Sequence, residues 1–383
     1  MQFKSLSRAE MPEAIALWRY CFRDSEKFTQ WYFDRRAGDV LALKGERLIS
    51  QQVSVPASID LRGVARSGRI ISGVATRPEC RGQGLMGRFN GQSYAYLRER
   101  GISVAALYPF SYDFYRRYGW AVGCDALKVR VQVERMPKTR ASGDFVLVDV
   151  HSASGECAAE FAEVYARCFE RYSGRVLRDA RAFELRLQEL ALEEGYAALY
   201  RYDGAIEGYL LYTIEDRRFG VWEFGAVNAR ARRDILAYIA GHASTVDEVT
   251  WTAPADDLTW RMIPDGRGIA TLEPYVMYRI LDIPAAMGGL PAGEGEIILK
   301  IEDEHARWNA RTWRFRAEDG KLTVEPTTDC GAPVLSIGAL TQWALGYLDG
   351  SGLSGLAGDI SPKAAIQMDA LLPGRPAFMW EMY

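Results

Sequence analysis

Apolar residues recur at three- and four-residue steps from Met11 through Ala14, Leu17, Trp18 and Cys21 to Phe22, which predicts an amphipathic helix near the start of the chain. Apolar-rich stretches of strand character follow: "VLALKG", "RLISQQVSVPASIDL" and "RIISGVAT". Leu85, Phe89, Tyr96 and Leu97 then share one side of a helix predicted from about Leu85 to Arg100, with Gly101 as its stop. "ISVAALYP" (102–109) reads as a buried strand, and "SYDFYRRYGW" (111–120) as a short helix ending at Gly119.

The pattern then half repeats. "LWRYCF" (17–22) resembles "VYARCF" (164–169), and a hairpin signal follows each, "LALKGERLISQ" (41–51) and "ALYRYDGAIEGY" (198–209). Two stretches rich in turn formers read as linkers, "MPKTRASGD" (136–144) and "PAAMGGLPAGEGE" (284–296). They predict three domains, 1–140, 141–287 and 288–383. The last opens on the alternating strand "EIILKIED" and continues into the helical stretch "IGALTQWALGYLDG".

Composition narrows the class. Net charge is −3, from 47 basic and 50 acidic residues, so no electrostatic footprint for nucleic acid is expected. No apolar run reaches the roughly 18 residues of a membrane span, and the first residues lack the apolar block of a signal peptide, so a cytoplasmic protein is expected. The six cysteines form no C-x-x-C pair and read as reduced thiols. With three scattered histidines, neither a catalytic zinc site nor a Ser-His-Asp hydrolase is expected, and no metal is assigned.

The sharpest motif is "ATRPECRGQGLMGRF" (75–89). It contains G-x-G-x-x-G, the spacing of a dinucleotide-binding turn. That reading requires an acidic residue about twenty positions on for the ribose, and "SVAALYPF" (103–110) has none. Arg81-x-x-Gly84-x-Met86 accounts for more. A strand leads in and a helix leads out, so the helix's first N–H groups have no internal partner and attract an anion. Glycines let the backbone approach a pyrophosphate closely, and Arg81 adds charge. Tight packing alone would also use such a turn.

"SGVATRPECRGQGLMGRF" followed by "VAALYPFSYDFYRRYGW" resembles the GCN5-related N-acetyltransferase (GNAT) superfamily over about residues 68–120. Met86, where Gly or Ala is usual, resembles the enhanced intracellular survival (Eis) family. "EPYVMYRILDI" (273–283) is similar to the end of that family's second GNAT domain, and "IEDEHARWNARTWRF" (302–316) to its sterol-carrier-like domain. The resemblance implies an α+β (α/β) fold of two tandem GNAT-like domains, the second degenerate, plus a C-terminal sterol-carrier-like α/β domain. It also implies acetyl-coenzyme A as cofactor, a small-molecule amine such as an aminoglycoside as substrate, and a homo-oligomer, with hexamers known in the family.

By the same resemblance Val74, Ala75, Thr76, Arg81, Gly82, Gln83, Gly84, Leu85 and Met86 hold the cofactor. The Val74 N–H polarises the thioester carbonyl, and Tyr115 protonates the leaving thiolate. Packing in the core, as read for Phe114 and Tyr118, is the alternative for Tyr115. Phe378, Trp380 and Tyr383 make a solvated tail costly, so the tail is expected to be buried; the resemblance implies that the C-terminal carboxylate at Tyr383 reaches the active site, and a packed tail without catalytic duty is the alternative. Asp24 and Glu26 could attract a cationic acceptor or could simply cap a helix. Two other functions stay open: acetylation of protein lysines or N-termini, and a non-catalytic acyl-CoA sensor or lipid carrier.

Overall fold

The coordinates are a computed structural model that describes residues 1–152, 155–356 and 360–381. The chain forms two compact units. One comprises Met1–Cys124, Tyr172–Val176 and the chain from Tyr275 on; the other comprises Asp125–Arg171 and Leu177–Pro274.

The first unit starts with β1 (Gln2–Ser5), α1 (Met11–Phe22) and α2 (Glu26–Asp34). Pro12 in its first turn favours α1, and Arg23 in the left-handed region ends it. Ser25 caps α2 by accepting from the Phe28 N–H. β2 (Val40–Lys44) leads into the long hairpin of β3 (Leu48–Leu61) and β4 (Val64–Thr76), closed by Arg62-Gly63, both at positive φ as a two-residue turn of this hand requires. After β4 come α3 (Leu85–Arg98), β5 (Val104–Leu107), α4 (Tyr112–Arg116) and β6 (Ala121–Val122). Phe89, Tyr94 and Leu97 of α3 pack on Leu41, Leu43, Ile71 and Leu107 of the sheet.

The chain then leaves for the second unit. β7 (Asp125–Gln132), β8 (Asp144–Val148), β9 (Tyr196–Tyr202), β10 (Ala205–Glu215), β11 (Arg218–Ala226), β12 (Glu248–Pro254) and β13 (Ala270–Pro274) form a sheet in the order β13-β7-β12-β11-β10-β9-β8. Its helices are α5 (Gly155–Phe169), α6 (Ala180–Leu192) and α7 (Ala229–Ala240). The repeated segments correspond: Phe22 closes α1 and Phe169 closes α5.

On its return the chain inserts β14 (Met277–Ile280) antiparallel to both β5 and β6, so the first sheet reads β1-β2-β3-β4-β5-β14-β6. The units therefore change at Cys124/Asp125 and at Pro274/Tyr275, whereas the turn formers placed boundaries at 140 and 287. Neither expected linker is loose chain. Ser142 and Gly143 donate their N–H groups to Asp234, and Ile283, Ala286 and Met287 of α8 (Ile283–Met287) are fully buried.

A third, four-stranded sheet, ordered β17-β16-β15-β18, ends the first unit. It is made of β15 (Glu296–Glu302), β16 (Thr312–Glu318), β17 (Lys321–Pro326) and β18 (Val334–Ser336), and it is joined by α9 (Ile337–Leu345), α10 (Gly350–Leu356) and α11 (Pro362–Leu371). Arg62, at the tip of the β3/β4 hairpin, donates to the Trp343, Ala344 and Pro373 carbonyls around the end of α9. Among the described residues no helix is long and apolar enough to cross a membrane.

Candidate active site

β4 and β5 run parallel from Gly68/Val104 to Ile70/Ala106 and then part. Beyond the fork β4 keeps only β3 as a partner, and even there the ladder is interrupted. Gln51 pairs with Ala75 and Val53 with Ser72, so Gly73 and Val74 together oppose Gln52. Such a bulge frees backbone groups that a regular ladder would consume. Trp18 packs over Gly73, held by a 2.7 Å bond from its indole Nε1–H to Asp24.

From Thr76 the chain makes an eight-residue turn into α3. Gly84, the residue before the helix, has φ 69°, Gly82 has φ 72°, and no side chain caps the helix's first turn. A Cβ built on either glycine would meet no protein atom, so the backbone here faces open space. Arg81 is exposed, and its Nε–H donates to the Thr76 carbonyl at 2.9 Å, which ties the turn back to the end of β4. Met86 lies over the Ser50 and Thr76 hydroxyls, 3.6 Å from each.

Turn and strand end together line a cleft of about 580 Å³. All nine candidate cofactor residues, Val74 to Thr76 and Arg81 to Met86, border it. Its other wall is aromatic: Phe22 from α1, then Phe110, Phe114 and Tyr118. The sequence pattern does not mark these aromatics as cleft residues; Phe114 and Tyr118 read there as core. The physical reason is the short α4: residues four apart share a face, and 114 and 118 take the cleft side while 115 turns inward.

Tyr115 is 6% exposed and packs against Phe110, Phe114 and Trp120, one ring removed from the cleft lining. Among the described residues no group hydrogen-bonds its hydroxyl. Burial pushes that hydroxyl's pKa above the ordinary phenol value of 10.0, with the nearby Tyr94 adding to the shift.

Other candidates lie elsewhere. Asp24 is engaged with Trp18, and Glu26, at the start of α2, makes a long, exposed 3.8 Å ion pair with Arg19; neither borders the cleft. The tail is docked: Phe378 stacks on Tyr275 at 5.7 Å, its N–H donates to the Ser173 carbonyl, and Trp380 is buried. Tyr275 in turn meets Tyr108, just beyond the end of β5. Tyr383 lies outside the described residues. None of the six cysteines is in a disulfide, and Cys21 and Cys80 border the cleft. No group of residues suited to a metal occurs among the described residues.

Family models match this arrangement in sequence. Acetyltransferase (GNAT) domain models match residues 2–123 and 174–280, and a sterol carrier protein domain model matches residues 283–380. The chain is a GNAT-superfamily N-acetyltransferase with Eis-like architecture. An uncharacterized N-acetyltransferase of Streptomyces avermitilis is 28% identical over 338 residues, covering 80% of this chain and 79% of that one. Among solved structures, a probable N-acyltransferase of Enterococcus faecalis superposes with a TM-score of 0.89 at 24% identity, covering 100% of this chain and 99% of that one. Eis1 of Mycobacterium abscessus superposes with a TM-score of 0.79 at 20% identity over the full length of both. The GNAT fold implies use of an acyl-CoA in general, and an uncapped helix start beside Arg81 has the chemistry to attract an anion.

Proposed function

We propose that the chain transfers an acetyl group from acetyl-CoA to an amine of a small molecule, in the cleft between the β4/β5 fork and α3. The observation that carries this reading is the conjunction of the Gly73-Val74 bulge with the uncapped α3 turn on one cleft wall. The bound thioester supplies the activated acyl carbon. Gly82, Gly84 and the first amides of α3 hold the diphosphate, and Arg81 adds charge beside it.

Val74, freed by the bulge, offers its N–H to the carbonyl oxygen as negative charge builds on it. One such donor contributes about 2.7–4 kcal/mol to barrier lowering. The amine nitrogen bonds to the carbonyl carbon, the C–S bond breaks, Tyr115 gives its proton to the departing sulfur, and the proton lost by the nitrogen passes to water, from which the Tyr115 phenolate is reprotonated. Burial keeps the Tyr115 hydroxyl protonated throughout the neutral range, so its proton is present when the sulfur departs.

Multi-amine molecules, aminoglycosides among them, are the acceptor class we favour, on the resemblance to the Eis family. Among the described residues the cleft's lining contains no carboxylate. Thiol release from acetyl-CoA across a panel of aminoglycosides, simple polyamines, aromatic amines and lysine peptides tests the reading. Turnover with small amines supports it; turnover with peptides alone overturns the acceptor class, and no turnover with any amine overturns the catalytic reading.

A further inference from the structure

The loop between β15 and β16 in the sterol-carrier-like part of the chain does more than close a sheet. Asp303 on it meets Arg279 of β14, with the guanidinium Nη2 at 2.6 and 2.8 Å from the two carboxylate oxygens. Both side chains are essentially sealed from water, at 0% and 1% exposure. The carboxylate is further saturated by the N–H groups of His305 and Ala306 and by the Asn309 amide.

A buried ion pair is rarely the most stabilising way to fill such a space; apolar side chains of similar volume are often as good or better. Its placement is what sets it apart. Arg279 also donates from Nη1 to the Tyr118 carbonyl at 2.8 Å and lies over the Tyr94 ring at 4.2 Å. Tyr94 donates its hydroxyl to the same carbonyl and accepts from the Trp120 indole. His305 donates from Nε2 to the neighbouring Arg117 carbonyl at 3.1 Å, and its ring lies 5.2 Å from that of Tyr118.

Those two carbonyls belong to the C-cap of α4, Arg117, and to the residue after it. The turn that leaves the helix is thus held by cationic or N–H side chains from distant segments. Gly119 completes the fit: it has φ 80°, and a Cβ there would lie 1.7 Å from Arg279 Nη1. The turn that follows Tyr115 is thus closed around the guanidinium. The same loop lies along α3, where a Cβ at Gly87 would lie 3.7 Å from the His305 ring and one at Gly91 3.5 Å from the His305 carbonyl. Both walls of the acyl-CoA cleft, α3 and the 114–118 segment, therefore touch one loop.

We propose that the 303–309 loop is a positioning element of the acyl-transfer site, with Asp303, Arg279 and His305 fixing the end of α4 and thereby the aim of Tyr115. The proposal rests on the reading of Tyr115 as the proton donor. It gives the sterol-carrier-like part of the chain a duty in catalysis that requires no lipid.

The test uses the full chain with Arg279→Met and Asp303→Asn together. This pair removes both charges, so neither is left alone, and the amide that replaces the carboxylate can still accept from the loop's N–H groups. Hydrogen exchange of residues 112–120 should quicken while the rest of the chain keeps its protection. kcat should fall about tenfold or more, as misaimed catalytic groups do, with acetyl-CoA affinity held within about twofold. In a Tyr115→Phe background the same pair should cost nothing further. His305→Ala, which leaves the buried pair intact, should show a smaller effect in the same direction and serves if the paired variant does not fold. Unchanged exchange and kcat in folded variants overturn the proposal, as does an equal fall with and without the Tyr115 hydroxyl. Wild-type kcat in Tyr115→Phe alone overturns the proton-donor reading separately, because that arm does not touch the loop.

Discussion

The chain holds two strand-to-helix junctions of related origin, and only one is open. In the first domain β4 parts from β5, carries a bulge at Gly73-Val74, and reaches α3 through eight residues that end on Gly84. In the second domain β11 and β12 pair in parallel from Arg218/Glu248 to Val221/Trp251, and β11 likewise carries an extra residue, Trp222, opposite β10. There the likeness stops. Only Val227 and Asn228 separate β11 from α7. Asn228 accepts from the Ala231 N–H and donates to Glu207, which also pairs with Arg230. One helix start has no side-chain cap on its first amides; the other satisfies one of them with its own Asn228 side chain. The strand ends differ as well. Glu223 on β11 is fully buried, paired to Arg178 at 2.8 Å and to the Tyr209 hydroxyl. The same fold thus carries an open junction in one domain and an internally satisfied one in the other.

The contrast can be pressed from both sides. The largest effect is expected in the closed domain. Glu223→Ala leaves the buried Arg178 guanidinium without its carboxylate and should destabilise the protein by about 3–5 kcal/mol, read by denaturant unfolding. Acetyl transfer per folded molecule should not change. A selective loss of transfer with stability intact would mean the second domain contributes to the site.

Next comes Tyr115→Phe, which should lower kcat by about 100-fold with acetyl-CoA affinity unchanged, the signature of a group that acts only in the transition state. An unchanged rate in single-turnover assays returns Tyr115 to core packing.

Smaller is Gly84→Val. A branched residue at φ 69° is strained by about 1–2 kcal/mol, and its side chain enters the space the backbone leaves open. Acetyl-CoA binding should weaken about tenfold, with NAD binding undetectable in both proteins by thermal shift. The smallest effect is that of Asn228→Ala, which removes a helix cap and should cost about 1 kcal/mol of stability without creating a second cofactor site.

How much of this was legible in the sequence follows from how local each signal is. The α3 turn was readable because Arg81, Gly82 and Gly84 lie within four consecutive residues, and the missing ribose acid at 103–110 separated it from a dinucleotide fold. The repeat of α1 in α5 was readable because Phe22 and Phe169 end equivalent helices. The exchange of β7 and β14 between sheets was not, since strand pairing across more than a hundred residues leaves no periodicity to read. The short helix α8 at the start of 284–296 was not readable, because small and apolar residues pack a helix as easily as they loosen a loop. The inward turn of Tyr115 beneath Phe114 and Tyr118 depends on which face a five-residue helix presents, which three neighbouring aromatics do not reveal. The Arg279–Asp303 pair joins residues whose partners carry no shared motif.

On this account one of the two GNAT domains binds acyl-CoA, and it does so at the open junction. Calorimetric titration of the full chain with acetyl-CoA tests this most directly, run on the wild type and on Gly84→Val. One site per chain, weakened by the substitution, is the expected result. Two sites per chain, or one site indifferent to Gly84→Val, would contradict it.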